Sequence, residues 1–160
     1  MKKVLLFILL FATFALTGCS KTRITNLVGD ELFAYEDGSY LVYVYKDNCE
    51  ACEDVTPIVE SYVRAYRDGA FENKSPIYGF NLSNKTNSVV DREYDSEAGD
   101  LDGQGKEGNL LINDITNWDE LYIGNAPLLI VIRNRTGNRI AEFWAEGADI
   151  NSRLQSYYYG

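Results

Sequence analysis

The chain has 160 residues, 46% of them hydrophobic, and a formal net charge of -9 at pH 7. This length and composition are ordinary for one domain with its own core. The excess of acidic residues disfavours nucleic acid as a partner, because phosphates carry the same sign of charge. The chain contains no histidine, which excludes His-based catalytic triads, histidine zinc ligands and imidazole acid–base chemistry. Any catalysis must therefore depend on thiols or carboxylates.

The first 18 residues have the pattern of an export signal. Two lysines precede an apolar run over residues 4–16, which is too short to span a bilayer comfortably. Residues 16–19 are Leu-Thr-Gly-Cys, and this sequence resembles the lipobox of bacterial lipoproteins. The resemblance implies that the signal peptide is removed, that Cys19 carries a lipid, and that the lipid anchors the domain to the cell membrane outside the cytoplasm. The alternatives are a plain secretory signal and an uncleaved anchor, and both also place the domain outside the cytoplasm.

The next part of the chain leads to the two remaining cysteines, Cys49 and Cys52. Residues 19–29 are predicted to be a tether that follows the lipidated cysteine and runs into a first edge strand, and residues 30–160 are predicted to be the domain. The segment 30–36 favours one or two helical turns, with Asp30 as the N-cap. Residues 40–45 form a continuous apolar and aromatic run, typical of a strand buried on both faces of a parallel sheet.

A helix is predicted after the second of these cysteines. Apolar residues over 55–66 recur at the spacing of one helix face, and Asp68-Gly69 would end the helix. Pro57 lies inside it and should produce a kink, because proline lacks an N–H and its ring clashes with the preceding turn. Residues 76–82 are predicted to be the next strand.

The second half of the domain begins with an insertion. Residues 83–111 are rich in Asn, Ser, Asp, Glu and Gly and predict a solvated surface that could recognise a partner. Helical order is predicted again over residues 114–122. The chain then ends with an antiparallel hairpin and a helix, predicted as a strand over 127–133, a turn over 134–138, a strand over 139–145 and a helix from Asp149.

The cysteines carry the candidate chemistry. The chain has three, and lipidation of Cys19 would leave Cys49 and Cys52 as the only possible pair. Cys49 is predicted at the N-terminus of the helix with an exposed sulfur, where unpaired backbone N–H groups stabilise a thiolate. Cys52 follows one helical turn later. This arrangement predicts that Cys49 attacks a disulfide of a partner and that Cys52 resolves the mixed disulfide.

At these positions the chain resembles the thioredoxin family. Pro57 matches the proline of the family's active-site helix, and Ala126-Pro127 before an apolar strand is similar to its cis-proline loop. The resemblance covers residues 24–82 and 112–159. It implies an α/β, thioredoxin-like fold, with a central mixed β-sheet flanked by helices and a polar insertion before the cis-proline loop. It also implies a thiol-disulfide oxidoreductase in which Ala126 and Pro127 bind an extended segment of the client.

The chain departs from the family pattern near the cysteines. Tyr43 stands where many thioredoxins bury an aspartate, and Asn48 replaces the aromatic residue before the first cysteine. These differences indicate a narrow range of clients. We expect the partners to be protein clients with thiols or disulfides and a redox partner protein. No metal and no other cofactor is expected, since no further Cys or His could complete a zinc site.

Two points stay open from the sequence. Four acidic residues surround the cysteines, with only Lys46 to oppose them: Asp47, Glu50, Glu53 and Asp54. Negative charge disfavours a thiolate, which would indicate a reducing or isomerising protein, but the same carboxylates could simply stabilise the helix N-terminus. The alternative to an enzyme is a redox-inactive interaction or export-accessory module that keeps the fold with a static disulfide.

Overall fold

A computed structural model describes residues 23–35, 38–93, 110–135 and 137–160 of the chain. These residues form a four-stranded mixed sheet, a two-stranded sheet and two α-helices. The elements in chain order are β1 (Tyr40–Tyr45), α1 (Glu50–Arg67), β2 (Ile77–Asn81), β3 (Leu110–Leu111), β4 (Tyr122–Ile123), β5 (Leu128–Arg135), β6 (Asn138–Glu146) and α2 (Asp149–Tyr159). Short 3-10 helices lie at Gly29–Phe33, Asn87–Val90 and Trp118–Glu120. The predicted mixed α/β class and the central mixed sheet are confirmed.

β1 is an inner strand of the four-stranded sheet, whose order is β2-β1-β5-β6. It pairs in parallel with β2 and antiparallel with β5, and β5 pairs antiparallel with β6. Because strands cover both of its edges and apolar residues cover both of its faces, β1 is an unbroken apolar run, as predicted for residues 40–45. Its C-terminal end leads into the turn that carries the cysteines.

Two apolar cores lie on opposite faces of the sheet. Both described α-helices cover one face, where Tyr43 and Leu129 of the sheet pack with Val59 of α1 and Leu154 of α2. The other face, which includes Val42, is covered by 3-10 helices and by β3 and β4. Within the described residues, the helices therefore flank the sheet on one face only.

Three predicted elements agree closely with the structure. α1 ends at Arg67, and Gly69 follows it in the left-handed conformation, with a φ of 79°. Pro57 lies inside α1, as predicted. β2 confirms the strand predicted over residues 76–82, and α2 begins at Asp149, the residue predicted for the final helix.

Residues 25–27 pair with the edge of the sheet, as expected for the edge strand into which the predicted tether runs. The N–H of Leu27 donates to the carbonyl of Gly79 at 2.8 Å, and the N–H of Gly79 donates to the carbonyl of Thr25 at 2.8 Å. The side chain of Leu27 is buried in the core. These residues thus extend the edge of β2, and the packed domain begins before residue 30.

The predicted signal peptide, residues 1–18, and the predicted lipidation site, Cys19, lie outside the described residues. Among the described helices, none is long and apolar enough to cross a membrane. The membrane anchor therefore stays a prediction.

The first helical turn begins earlier than predicted. Asp30, the predicted N-cap, lies inside the 3-10 helix, and the N-cap is Val28. The carboxylate of Glu31 accepts a hydrogen bond of 2.8 Å from the backbone N–H of Val28. The carboxylate that caps the turn is thus that of Glu31 and not that of Asp30.

The first part of the predicted insertion packs against the domain. Asn87 is 1% exposed, and its side chain donates to the carbonyls of Leu27 and Asn81, both at 3.1 Å. Its Oδ1 accepts a hydrogen bond of 2.9 Å from the N–H of Gly29. The insertion predicted over residues 83–111 therefore includes a structured segment up to residue 93, while residues 94–109 lie outside the description.

The helix predicted over residues 114–122 is wrong. This segment contains only the 3-10 helix Trp118–Glu120, and Tyr122 belongs to β4. The N–H of Asp114 donates to the carbonyl of Ala141 at 2.9 Å, and the N–H of Ala141 donates to the carbonyl of Ile115 at 2.8 Å. The start of the segment thus bonds to the edge of β6 instead of forming a helical turn.

The hairpin is tighter than predicted. β5 extends to Arg135 and β6 begins at Asn138, and these two residues are paired. Gly137, in the turn, has a φ of 86°, which glycine adopts without steric cost. The turn therefore occupies fewer residues than the predicted segment 134–138.

Candidate functional site

Cys49 and Cys52 form a disulfide at the N-terminal end of α1, with Cα atoms 5.1 Å apart. Cys49 is the N-cap of the helix, as the sequence predicts, and Cys52 lies in its first turn. The backbone N–H of Cys52 is 3.2 Å from the sulfur of Cys49. Cys49 is half-buried, whereas Cys52 is only 2% exposed. The two sulfurs therefore differ in access, and a partner can approach Cys49 more readily.

The turn before the cysteines is fixed by short polar contacts. Asn48 has a φ of 56°, the left-handed conformation that lets the chain change direction between β1 and α1. The N–H of Asp47 donates to Ser83 Oγ at 2.8 Å, and its carboxylate accepts from the amide of Asn81 at 3.0 Å. The turn is thus bonded to the end of β2 and to the residues that follow it.

A salt bridge connects the same turn to the segment after β2. Lys46 Nζ lies 2.6 Å from a carboxylate oxygen of Asp91, and both side chains are about one-third exposed, at 31% and 29%. Asp91 in turn forms a parallel bridge with Ile123 of β4. The turn that carries the cysteines and the strand that precedes the proline loop are therefore joined through Asp91.

The second predicted part of the site is the loop between β4 and β5. The peptide bond between Ala126 and Pro127 is cis, as expected. The carbonyl oxygen of Ala126 lies 3.8 Å from the sulfur of Cys49, although the two residues are 77 positions apart. This is a contact in the disulfide form, since the sulfur carries no proton, and it becomes a possible weak hydrogen bond when Cys49 is a thiol. The fold thus brings Cys49 and Ala126 together.

The sequence did not predict a pair of hydroxyl groups beneath Cys52. The hydroxyl of Tyr43 lies 3.2 Å from the carbonyl oxygen of Cys52 and 3.0 Å from Thr56 Oγ1. Thr56 donates to the same carbonyl at 2.7 Å. Thr56 could have been noticed, because a threonine four residues after a helical position often bonds back to its carbonyl. No residue near Tyr43 in the sequence indicates that its hydroxyl contacts the carbonyl of Cys52.

Tyr43 is an uncharged group at neutral pH. Burial raises the pKa of its hydroxyl above the usual value, and the hydrogen bond with Thr56 only partly opposes this effect. The hydroxyl therefore keeps its proton and acts as a neutral hydrogen-bonding group beneath the helix.

The four acidic residues that flank the cysteines in sequence, Asp47, Glu50, Glu53 and Asp54, are all exposed. An open cleft of about 510 Å³ runs beside Cys52 and is lined in part by Asp47, Glu53 and Glu60. The electric field of these carboxylates at the cysteine sulfurs is therefore screened by solvent.

Metal binding has no support within the described residues. No group of three Cys, Asp or Glu side chains in those ranges is arranged to hold a metal ion.

No protein-family model matches this chain, and no curated protein is significantly similar to it in sequence. The geometry of the cysteine site is therefore the main basis for a function. A Cys-X-X-Cys pair at disulfide distance is consistent with redox chemistry.

Proposed function

We propose that this protein is a thioredoxin-like thiol-disulfide oxidoreductase that exchanges disulfides with protein clients. One observation carries the proposal: the sulfur of Cys49 lies at the start of α1, 3.8 Å from the carbonyl of Ala126, which precedes a cis-proline. A structural disulfide does not require a partly exposed cysteine whose sulfur lies next to a backbone carbonyl from a distant loop. A protein that binds an extended client beside its thiol does require such neighbours.

The order of elements supports the thioredoxin-like fold. β1, α1 and β2 form a parallel unit, and the β5–β6 hairpin and α2 follow the cis-proline. The face of the sheet opposite α1 carries 3-10 helices and a two-stranded sheet. The family resemblance implies a sheet flanked by helices, so this covering departs from the expected fold.

The proposed reaction has two steps. In the dithiol form, Cys49 loses its proton and attacks one sulfur of a client disulfide, whose S–S bond breaks and whose other sulfur leaves as a thiolate. Cys52, as a thiolate, then attacks the sulfur of Cys49 in the mixed disulfide. The bond between Cys49 and the client breaks, and the client sulfur leaves with the electron pair and takes a proton. Two electrons pass from the cysteine pair to the client, and the redox partner protein restores the dithiol.

The geometry gives the two thiols different parts in this reaction. The backbone N–H of Cys52 can donate to a Cys49 thiolate, which favours Cys49 as the attacking group. The burial of Cys52 protects it from clients and keeps it available for the second step. Ala126 and Pro127 would bind the client backbone beside Cys49.

The proposed location is the outer side of the cell membrane, with a lipid on Cys19. The support is the Leu-Thr-Gly-Cys sequence at residues 16–19 after a charged and apolar leader. Mass spectrometry of the membrane-extracted protein should show residues 1–18 removed and Cys19 lipidated. An intact N-terminus or an unmodified Cys19 would contradict the anchor and leave the redox proposal standing.

The test of the function is a trapping experiment on the full chain. Cys52→Ser should accumulate covalent complexes with client proteins, and a reducing agent should release them, because the second step is blocked. Cys49→Ser is the matched control and should trap nothing and turn over nothing. If wild-type protein exchanges with no disulfide and its own disulfide resists physiological dithiols, the redox-inactive module becomes the better description.

A further inference from the structure

The carbonyl of Cys52 lies above a chain of two hydroxyl groups. Thr56 makes the shorter bond to this carbonyl, 2.7 Å, and so its proton points there. The hydroxyl of Tyr43, 3.0 Å from Thr56 Oγ1 and 3.2 Å from the carbonyl, then donates its single proton between these two acceptors. Tyr43 and Thr56 together hold the main chain of Cys52 from below.

The position of Tyr43 is itself constrained. Its side chain is fully buried, and its ring stacks on the ring of Tyr45, with centroids 5.3 Å apart and an angle of 12° between the planes. Tyr45 in turn exchanges hydrogen bonds with the side chain of Asn26, at 2.9 Å and 3.1 Å. The hydroxyl of Tyr43 is thus held under α1 by β1 and, through Tyr45, by the N-terminal segment that packs on the edge of β2.

This contact matters most when the internal disulfide is open. In the disulfide form the S–S bond holds Cys52 against Cys49. In the mixed disulfide that bond is absent, and the sulfur of Cys52 must still lie in line with the sulfur of Cys49 to attack it. The backbone bonds of α1 and the two hydroxyl groups are then what hold Cys52 in place.

We propose that Tyr43 and Thr56 are positioning residues for the resolving step, in which the Cys52 thiolate displaces the client thiolate from Cys49. The inference rests on the proposed function. Neither side chain is proposed to contact the client or the reacting sulfurs. Their removal should therefore slow the second step and leave the first step unchanged.

The test follows both steps with the reduced full-length protein and oxidised glutathione as the probe. Attack by Cys49 gives a glutathione mixed disulfide and one glutathione thiolate, and resolution by Cys52 gives the internal disulfide and a second thiolate. Acid quenching and mass spectrometry at successive times measure the appearance and the decay of the mixed disulfide. Tyr43→Phe and Thr56→Val should each slow the decay about two- to tenfold, the range for one lost hydrogen bond, with the rate of appearance within about twofold of wild type.

The matched control is Tyr158→Phe. Tyr158 also lies in the core, and its hydroxyl donates to the carbonyl of Ser75 at 2.6 Å, away from the cysteines. It should lose stability as Tyr43→Phe does, without a change in either rate. Thr56→Ser keeps the hydroxyl, and its mixed disulfide should decay at a rate close to that of wild type. If Tyr43→Phe does not fold, the comparison of Thr56→Ser with Thr56→Val tests the inference.

Three outcomes would overturn the inference. One is a decay in both Tyr43→Phe and Thr56→Val equal to that of wild type. Another is an equal slowing of appearance and decay, which would indicate a general loss of structure. The third is a slower decay in Tyr158→Phe as well. Wild-type protein that forms no mixed disulfide and no internal disulfide with the probe would instead contradict the proposed function itself.

Discussion

The backbone N–H of Cys52 lies 3.2 Å from the sulfur of Cys49 and 2.9 Å from the carbonyl oxygen of the same residue, within the first turn of α1. An N–H in this position stabilises a negative charge on the sulfur of the N-cap residue. Nothing equivalent in the described residues points at the sulfur of Cys52, which is buried beneath the turn. The helix start therefore makes the two cysteines chemically unequal.

This inequality predicts the order of labelling. When the reduced protein is treated with less than one equivalent of an alkylating reagent at neutral pH, Cys49 should be modified first, because it is more exposed and its thiolate is better stabilised. Peptide mapping by mass spectrometry measures the two sites separately. Denatured reduced protein is the control and should show nearly equal labelling. Faster labelling of Cys52 in the native protein would reverse the assigned roles.

Stability should fall at high pH because of buried tyrosines. Burial raises the pKa of Tyr40 to about 12, while Arg139 lowers it only in part. A tyrosine whose pKa is higher in the folded protein stabilises the fold below its unfolded value of about 10, and this contribution is lost as the pH rises from there to the folded value. The free energy of unfolding should therefore decrease between about pH 10 and pH 12.

The variant Tyr40→Phe separates the contribution of this residue. At pH 8 it should be less stable than wild type by about 1–2 kcal/mol, because the hydroxyl of Tyr40 donates to the carbonyl of Leu32 at 2.6 Å. Towards pH 12 the difference should narrow, since the variant has no proton to lose at this position. Chemical denaturation at several pH values measures both effects. A constant difference across this range would argue against the raised pKa of Tyr40.

Gly79→Ala should destabilise the domain by about 1–3 kcal/mol. A Cβ at this position would collide with the side chain of Asn26, which lies across Gly79 and is held there by Tyr45. The double variant with Asn26→Ala should recover part of this loss, because the colliding atoms are then absent. Urea denaturation of the two single variants and the double variant gives the coupling. Strictly additive losses would show that the collision is not the cause.

Asn87→Ala should cost at least about 2 kcal/mol, because it leaves two buried backbone groups, the N–H of Gly29 and the carbonyl of Leu27, without the side chain that bonds them. The carbonyl of Asn81 also loses a hydrogen bond but keeps the one from the N–H of Asn84. Asn84→Ala is the control, since Asn84 is exposed and its side chain accepts a hydrogen bond from the nearby N–H of Thr86. Thermal or urea unfolding compares the two. Equal losses would mean that burial of Asn87 is not what stabilises the segment after β2.

The sequence by itself determined the elements whose signals are local. The apolar run of residues 40–45 is a buried inner strand, and the repeat over residues 55–66 is one face of α1. The place of Cys49 as the N-cap follows from the same two signals, because the cysteine lies where the strand pattern ends and the helix pattern begins. These features depend on neighbours within a few positions along the chain.

Tertiary contacts decided the rest. The spacing of apolar residues over 114–122 also suits a helix, but pairing with Ala141 on β6 satisfies the backbone at the start of the segment and prevents that helix. Asn87 is polar in a polar stretch, and only the carbonyls around it explain its burial. The contact between Tyr43 and Cys52 likewise requires α1 to lie over β1 in one register. The distance from Cys49 to Ala126 joins residues 77 positions apart, and no local pattern carries it, because it exists only when both loops are held at the same end of the sheet.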